Sequence, residues 1–233
     1  VYHDKIEQIF DGIDTDIVKP IPDAGFTLPN GRTVRRGERI VTYVSRNLEP
    51  YRGFKPFMRA IPGIQRLQPD AQIVIVGGDE VSYGKKPQGF ANWREAMLAE
   101  VQVDPARVHF TGRTPYDQYL RLLSVSDAHI YLTYPFVLSW SCVETMAAGG
   151  LVIGSDTAPV REVIEHGVNG LLVNFFDSAG IAAQVDHVLN DPERFAPLRE
   201  EARRTVEARY ALKHCLPKWV KLVEKMLAQR VPL

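Results

Sequence analysis

The sequence predicts an α/β fold in which helices cover both faces of a parallel sheet. Short runs of buried-type residues, such as IVTYVS and QIVIV, alternate with longer helical segments from Ile40 to about Tyr210. This alternation is typical of parallel sheets, whose strands are buried on both faces and joined by right-handed crossovers. Glycine and polar residues follow the predicted strands, as expected where a ligand binds beyond the carboxyl ends of such a sheet.

The composition is that of a globular domain. Of the 233 residues, 45% are hydrophobic and 24% are charged, and the formal net charge is zero. No global field therefore favours nucleic acid or an acidic membrane surface as a partner. The two cysteines form neither a metal motif nor a disulfide framework, so we expect a reducing, cytoplasmic location. No apolar run approaches the roughly 20 residues that a membrane span needs.

Residues 1–39 are predicted to form a linker strand and a basic hairpin. Lys5–Phe10 resembles a short strand, and Asn30-Gly31 is a strong hairpin signal within the Phe26–Arg39 stretch. Four arginines make this stretch basic, and we favour a solvent-exposed hairpin over a binding surface. Because the chain opens with Val1 and not Met, in the middle of a strand-like pattern, we expect that a further N-terminal part precedes it.

Residues 40–210 are predicted to form the main α/β domain, and residues 211–233 a C-terminal helix. Pro62-Gly63 is a misfit inside the first helix, where we expect a kink or a break. The last helix has an apolar stripe that must pack against something. The expected strands are Ile40–Ser45, Gln72–Val76, Val108–Thr111, Ala128–Leu132, Leu151–Ser155 and Leu171–Asn174. The expected helices are Phe54–Leu67, Asn92–Val101, Pro115–Ser124, Pro159–Glu165, Ser178–Leu189, Pro192–Tyr210 and Lys213–Gln229, with another that begins near Ser139.

Two features point to an anion site at the strand ends. Arg46 and Arg52 flank the turn after the first strand of the domain, and two guanidinium groups can neutralise a diphosphate. Val137, Leu138 and Ser139 can offer consecutive backbone N–H groups at the start of a helix. The alternatives are that the arginines are exposed or pair with a nearby glutamate, and that serine hydroxyls at this helix start serve as caps.

Glu144 is the single acid of that helix, within the stretch SCVETMAAGG. A charge among small and apolar residues is costly unless it has a partner. A carboxylate can accept hydrogen bonds from two vicinal hydroxyls, such as those of a ribose. The alternative is an ordinary salt bridge on the helix surface.

Other common site motifs are missing from the sequence. The pair Gly77-Gly78 permits a close backbone approach to a ligand, but it belongs to no G-x-G-x-x-G fingerprint. Neither a P-loop, a Ser/His/Asp order nor metal-ligand spacing is found. We therefore predict no metal site and no bound cofactor, and an unrelated α/β enzyme such as a dehydrogenase or epimerase is disfavoured.

Five segments of the chain match the motifs of one known protein family, in the same order and with matching spacing. FDGIDTDIVKP resembles the interdomain stretch N-G-V-D-x-x-x-F-x-P, and YVSRNLEPYRG resembles V-G-R-x-x-x-x-K-G. QIVIVGGDE resembles the strand that ends in G-x-G, and VHFTGRTPYDQYLRLL resembles the V-x-F-x-G segment with its helix. The stretch from Ser141 to Val173 resembles the L-E-A-M-A-x-G-x-P-V-I block and the N-G-x-L-V that follows it. Together the five segments resemble the C-terminal, donor-binding domain of a family 4 (group 1) glycosyltransferase of GT-B fold.

The resemblance implies a Rossmann-like domain that binds a nucleotide-sugar donor. The whole enzyme would transfer the sugar with retention and without a metal, typically in polysaccharide or glycolipid synthesis. Arg46 and Arg52 would act on the diphosphate as catalytic residues. The implied substrate contacts are Gly78 at a strand end, Gly112 and Arg113 beside the base, Val137, Leu138 and Ser139 at the phosphate and sugar, and Glu144 at the ribose.

Two departures from the family pattern affect these expectations. Phe136 occupies the position of the first of two motif glutamates, the one that commonly touches the donor sugar. We favour altered donor handling, and a nucleotide-binding GT-B-like module without transferase activity is the alternative. The acceptor domain of the family lies N-terminal to this segment, so we expect it to be the partner on which residues 211–233 pack. Any membrane contact would be made through that domain, and the present chain would bind donor weakly and not transfer sugar alone.

Overall fold

The computed structural model of the chain describes residues 6–134 and 137–228. Its centre is a six-stranded sheet made of β3 (Ile40–Asn47), β4 (Gln72–Gly78), β5 (Val108–Gly112), β6 (Ala128–Tyr131), β7 (Val152–Ser155) and β8 (Leu171–Val173). The strands lie in the order β5-β4-β3-β6-β7-β8, and every neighbouring pair is parallel. The predicted α/β fold is confirmed.

Helices cover both faces of the sheet, as predicted. The helices are α1 (Phe54–Leu67), α2 (Trp93–Glu100), α3 (Tyr116–Val125), α4 (Trp140–Ala147), α5 (Ala158–Arg161), α6 (Ser178–Asn190), α7 (Ala196–Arg209) and α8 (Leu212–Ala228). One apolar cluster joins the sheet to α1 and α6, and a second joins it to α3, α4 and α7.

The strand order creates a switch point between β3 and β6. From β3 the chain moves outward to β4 and β5 and then returns to place β6 on the other side of β3. The loops after these two strands therefore diverge and leave a crevice at their carboxyl ends. Ligands of open α/β sheets bind in such a crevice.

The N-terminal hairpin is confirmed, but it is less exposed than expected. Strands β1 (Phe26–Thr27) and β2 (Thr33–Val34) pair antiparallel around the Asn30-Gly31 turn. Phe26 and Val34 are buried in an apolar cluster that also contains residues of β3, β4 and α3. Arg36 donates to the carbonyls of Ser124 and Gly149, near the ends of α3 and α4. One face of the hairpin therefore packs against the main domain, and the other face is exposed to solvent.

One local prediction was wrong, and of the kink or break expected in the first helix, the break is absent. The described residues 6–10 form no strand, because the first backbone pairing in this region is at Ile13, which bridges to Ala211. Lys5 lies outside the described residues. Helix α1 runs through Pro62-Gly63 without a break. Its buried face, with Phe57 and Ile61, gains about 1.5–3 kcal/mol for each large side chain and outweighs the proline penalty of roughly 3 kcal/mol.

Helix α8 carries apolar residues that remain exposed. Leu216, Val220, Val223 and Leu227 are each 47–56% accessible. Within the described residues, none of the helices is long and apolar enough to cross a membrane.

His129 is a fully buried strand residue, and it gives the fold a dependence on acid. Its Nδ1 lies 2.8 Å from the Thr42 hydroxyl, and burial lowers the pKa of the imidazole from 6.5 to about 3. Below about pH 6.5 the His129 imidazole is therefore protonated in the unfolded chain but stays neutral in the folded chain. Stability is lost as the pH falls through this range, by about 1.4 kcal/mol per pH unit.

We expect His129→Gln to remove this dependence. Between pH 7 and pH 5 the native chain should lose about 2 kcal/mol more unfolding free energy than the variant does. Urea denaturation at the two pH values measures the difference. Equal losses in the native chain and the variant would show that His129 is not the titrating group.

Candidate functional site

A cavity of about 650 Å³ lies at the switch point, beyond the carboxyl ends of β3, β4 and β6. The sequence predicted nine site residues, and five of them line this cavity: Arg46, Arg52, Arg113, Ser139 and Glu144. They come from the end of β3 and the short turn that follows it, the loop after β5, and the N-cap and middle of α4. Residues far apart in the sequence are therefore brought together where the sheet topology opens the crevice.

The other four predicted residues lie around the cavity without lining it. A Cβ at Gly78 would stand 2.6 Å from the Asn47 Oδ1 atom, so this glycine is needed for close packing. Gly112 has a φ of +67° with open space around it, so the backbone conformation explains the glycine. Val137 and Leu138 line a neighbouring cavity of about 340 Å³, which shares Ser139 and Trp140 with the first.

The three arginines make the cavity positive. Arg46 is exposed, and no acid of the described residues forms an ion pair with it. Arg52 ends a short 3-10 turn, Pro50–Arg52, and its guanidinium donates to the Val137 carbonyl at 3.1 Å. Arg113 pairs with Glu80 at 2.5 Å, but both side chains are exposed and such pairs contribute little. The arrangement suits an anionic ligand.

Glu49 holds one wall of this cavity in place. This residue is 1% exposed, and its Oε1 accepts hydrogen bonds from the backbone N–H groups of Ser82, Tyr83 and Gly84 at 2.9–3.1 Å. One oxygen of this carboxylate is therefore used to hold the backbone of the loop after β4. The loop that it anchors places the Tyr83 ring 5.9 Å from the Arg52 guanidinium.

The N-terminus of α4 differs from the expected arrangement in two details. The Ser139 N–H donates to the Tyr131 phenol at 2.7 Å, so this N–H already has an acceptor. Ser139 makes no side-chain cap, and its hydroxyl lies 3.0 Å from that of Ser141. The serine hydroxyls therefore face each other at the edge of the cavity, and the capping alternative is not realised.

Glu144 is buried, with 5% exposure, and its partners are two tyrosines of α3. The Tyr116 phenol donates to Oε1 at 2.8 Å, and the Tyr119 phenol donates to Oε2 at 2.7 Å. Burial and the Glu144 carboxylate together raise the pKa of both phenols, which stay protonated donors. The surface salt bridge considered for Glu144 is therefore replaced by two phenol hydrogen bonds.

Sequence reasoning missed the residues that support the site. Tyr116 and Tyr119 lie three residues apart at the start of a predicted helix, a spacing that places them on one face. No signal in the sequence connected them with Glu144. Phe136, at the position of the missing motif glutamate, lies outside the described residues. Within the described residues, no group of three or more His, Cys, Asp or Glu side chains could hold a metal ion.

Comparison with known proteins identifies the family. The family model of the glycosyl transferases group 1 matches residues 29–205. A phosphatidyl-myo-inositol mannosyltransferase of Mycobacterium leprae is 28% identical over 84% of the chain and 48% of its own length. A D-inositol 3-phosphate glycosyltransferase of Rhodococcus jostii is 25% identical over 82% of the chain and 43% of its own length. The chain spans about half the length of the curated relatives it matches.

Solved structures with the same fold include glycosyltransferases. Anabaena Alr3699/HepE in complex with UDP-glucose superposes with a TM-score of 0.76 at 18% identity, over 94% of this chain and 57% of the other. The C-terminal domain of a group 1 glycosyl transferase, LpcC of Francisella tularensis, gives a TM-score of 0.71 at 16% identity, over 86% of this chain and 100% of the other. The chain belongs to the group 1 glycosyl transferase family, and the predicted family and fold are confirmed.

Proposed function

We propose that this chain is the donor-binding domain of a retaining, metal-independent glycosyltransferase. The full protein transfers a sugar from a nucleoside-diphosphate sugar to an acceptor, in polysaccharide or glycolipid synthesis. One observation carries the proposal: three arginines and one buried carboxylate surround a single cavity at the switch point of the sheet. The binding of UDP-glucose by Alr3699/HepE, which shares the fold, supports a nucleotide-sugar as the ligand.

Each end of the cavity suits a different part of such a donor. Arg46 and Arg52 neutralise the diphosphate, and in the reaction they stabilise the charge that develops on the departing nucleoside diphosphate. Gly78, Gly112 and Arg113 border the base, and Glu144 accepts the ribose hydroxyls. Val137, Leu138 and Ser139 border the phosphate and sugar. No cofactor takes part, and nucleic acid is not a partner.

The complete reaction needs a second domain. The acceptor binds to an N-terminal domain of the same parent protein, on which the exposed face of α8 packs, and any membrane contact at the inner face is made through that domain. The domain borders follow the sequence, with residues 1–39 as linker and hairpin, residues 40–210 as the donor domain and residues 211–233 as the closing helix. Robust sugar transfer by these 233 residues alone would contradict this division.

We expect nucleotide binding that depends on the diphosphate. Calorimetric titration with UDP, GDP and ADP, with the matching monophosphates and with sugar conjugates identifies the base. Removal of a charged hydrogen-bonding group costs about 1.5–3 kcal/mol, so Arg52→Ala should weaken binding of the diphosphate about 10- to 100-fold. Binding of the monophosphate should change much less. Glu144→Ala should weaken binding of both the diphosphate and the monophosphate.

Arg32→Ala is the matched control for this experiment. Arg32 is half-exposed on the hairpin and pairs with Glu38, and neither residue lines the cavity. Its loss should leave nucleotide affinity unchanged. If the native chain binds none of the nucleotides, the donor-binding proposal is wrong.

A nucleotide-binding module without transferase activity is the second candidate. Phe136 favours it, because the family glutamate that commonly touches the donor sugar is replaced. Both candidates bind nucleotide, so the titration does not separate them. Sugar transfer by the complete parent protein supports the first candidate, and binding without transfer supports the second.

A further inference from the structure

Both oxygens of the Glu144 carboxylate already accept hydrogen bonds within the chain. We propose that Tyr116 occupies the position on Glu144 that a ribose hydroxyl takes, and that Tyr119 fixes the carboxylate in the orientation that accepts the ribose. The inference rests on the proposed function, because it describes how the donor cavity changes when a nucleoside diphosphate binds. It assigns a displaceable residue and a positioning residue at this site.

The two tyrosines differ in burial. Tyr119 is 8% exposed and Tyr116 is 52% exposed, although both lie in the first turns of α3 and both line the cavity. Their ring centroids are 5.9 Å apart. Tyr119 therefore holds Oε2 from the packed side of the site, and Tyr116 covers Oε1 from the side open to solvent. A ligand that enters the cavity meets the Tyr116 hydrogen bond first.

The exchange is chemically balanced at Glu144. Both phenols donate, and a ribose hydroxyl is also a donor, so Oε1 keeps an acceptor role when one donor replaces the other. Tyr116 can leave by rotation of its side chain, because it is the first residue of α3 and is half in solvent. Tyr119 cannot leave without moving into packed residues of the second apolar cluster.

The cost of the exchange reduces nucleotide affinity. The state in which Oε1 is open is only a fraction of the unliganded population, and the apparent affinity is reduced by that fraction. Removal of the Tyr116 hydroxyl raises the fraction. Removal of the Tyr119 hydroxyl instead lets the carboxylate turn and weakens its bond to the ribose.

The test compares two variants on two ligands. Tyr116→Phe and Tyr119→Phe are titrated with UDP, GDP and ADP, each beside its 2′,3′-dideoxy counterpart. We expect Tyr116→Phe to bind the ribonucleotide about threefold tighter, since it removes one modest hydrogen bond. We expect Tyr119→Phe to bind it about tenfold more weakly. Neither variant should change binding of the dideoxynucleotide by more than about twofold.

The dideoxy ligands separate a role at the ribose from a general structural role. The inference is wrong if Tyr119→Phe loses the same affinity for both ligands, or if Tyr116→Phe gains no affinity for the ribonucleotide. Either result would leave the proposed donor-binding function standing. Tyr51→Phe is the control, because Tyr51 has similar exposure, 45%, and does not line the cavity. Failure of the native chain to bind any of the three nucleotides would remove the proposed function, and this inference with it.

Discussion

Gly53→Ala is expected to destabilise the chain by about 3–5 kcal/mol and to lower its melting temperature by about 10 °C. Gly53 joins the Pro50–Arg52 turn to α1 with a φ of +75°. A Cβ at this position would stand 2.1 Å from the Leu132 Cβ, which follows β6 and is buried. The strain of the left-handed conformation and the collision add together, because moving Leu132 would disturb the sheet at the switch point.

Gly89→Ala is the matched control for the collision. Gly89 has a φ of +79° but nothing within 4 Å of its Cβ position. This variant carries only the conformational cost, about 1–2 kcal/mol. Calorimetric melting of both variants separates the two contributions. A melting temperature for Gly53→Ala equal to that of Gly89→Ala would show that Leu132 can move aside without a loss of stability.

The sheet could be predicted from the sequence because its strands are buried on both faces. Runs such as Ile40–Ser45 and Gln72–Val76 are almost continuously apolar, and their flanking glycines and polar residues mark the ends. The α/β rule then places those ends at one edge. This rule and the family resemblance together predicted a shared site for Arg46, Arg52 and Glu144, which line one cavity in the structure.

The hydrogen-bond partners within the site could not be predicted in this way. Tyr119 and Glu144 are 25 residues apart, and their contact depends on the relative rotation of α3 and α4. The strand predicted at Lys5–Phe10 is absent from its described residues, 6–10, for a related reason. A strand-like pattern needs a neighbouring edge, and in the described part of this segment the first backbone pairing is at Ile13. Periodicity reports which face is buried, but not which atoms meet there.

Glu49→Ala is expected to loosen one wall of the cavity at the switch point and to lower the free energy of unfolding by about 2–4 kcal/mol. The Glu49 carboxylate accepts three backbone N–H groups of the loop after β4. Its own carbonyl accepts from the N–H groups of Arg52 and Phe54. Glu49 therefore connects the Pro50–Arg52 turn to the loop that carries Tyr83. The alanine variant loses the three hydrogen bonds to the loop and keeps the backbone bonds to the turn.

The loop offers a direct readout of this change. Trypsin cleaves after Lys85, whose carbonyl accepts from the Trp93 indole N–H in the folded loop. We expect Glu49→Ala to be cut there at least about tenfold faster, since local opening becomes easier by more than 1.4 kcal/mol. Nucleoside-diphosphate affinity should fall as well, because Tyr83 no longer stays beside Arg52.

Glu80→Gln is the control for loop stability. Glu80 lies in the same loop, but its carboxylate is exposed and pairs with Arg113, which is also exposed. Surface pairs of this kind contribute about 0–1 kcal/mol, so the cleavage rate and the unfolding free energy should stay near native values. If Glu49→Ala resists trypsin as well as Glu80→Gln does, the three hydrogen bonds do not hold the loop, and the fixed position of Tyr83 has another cause.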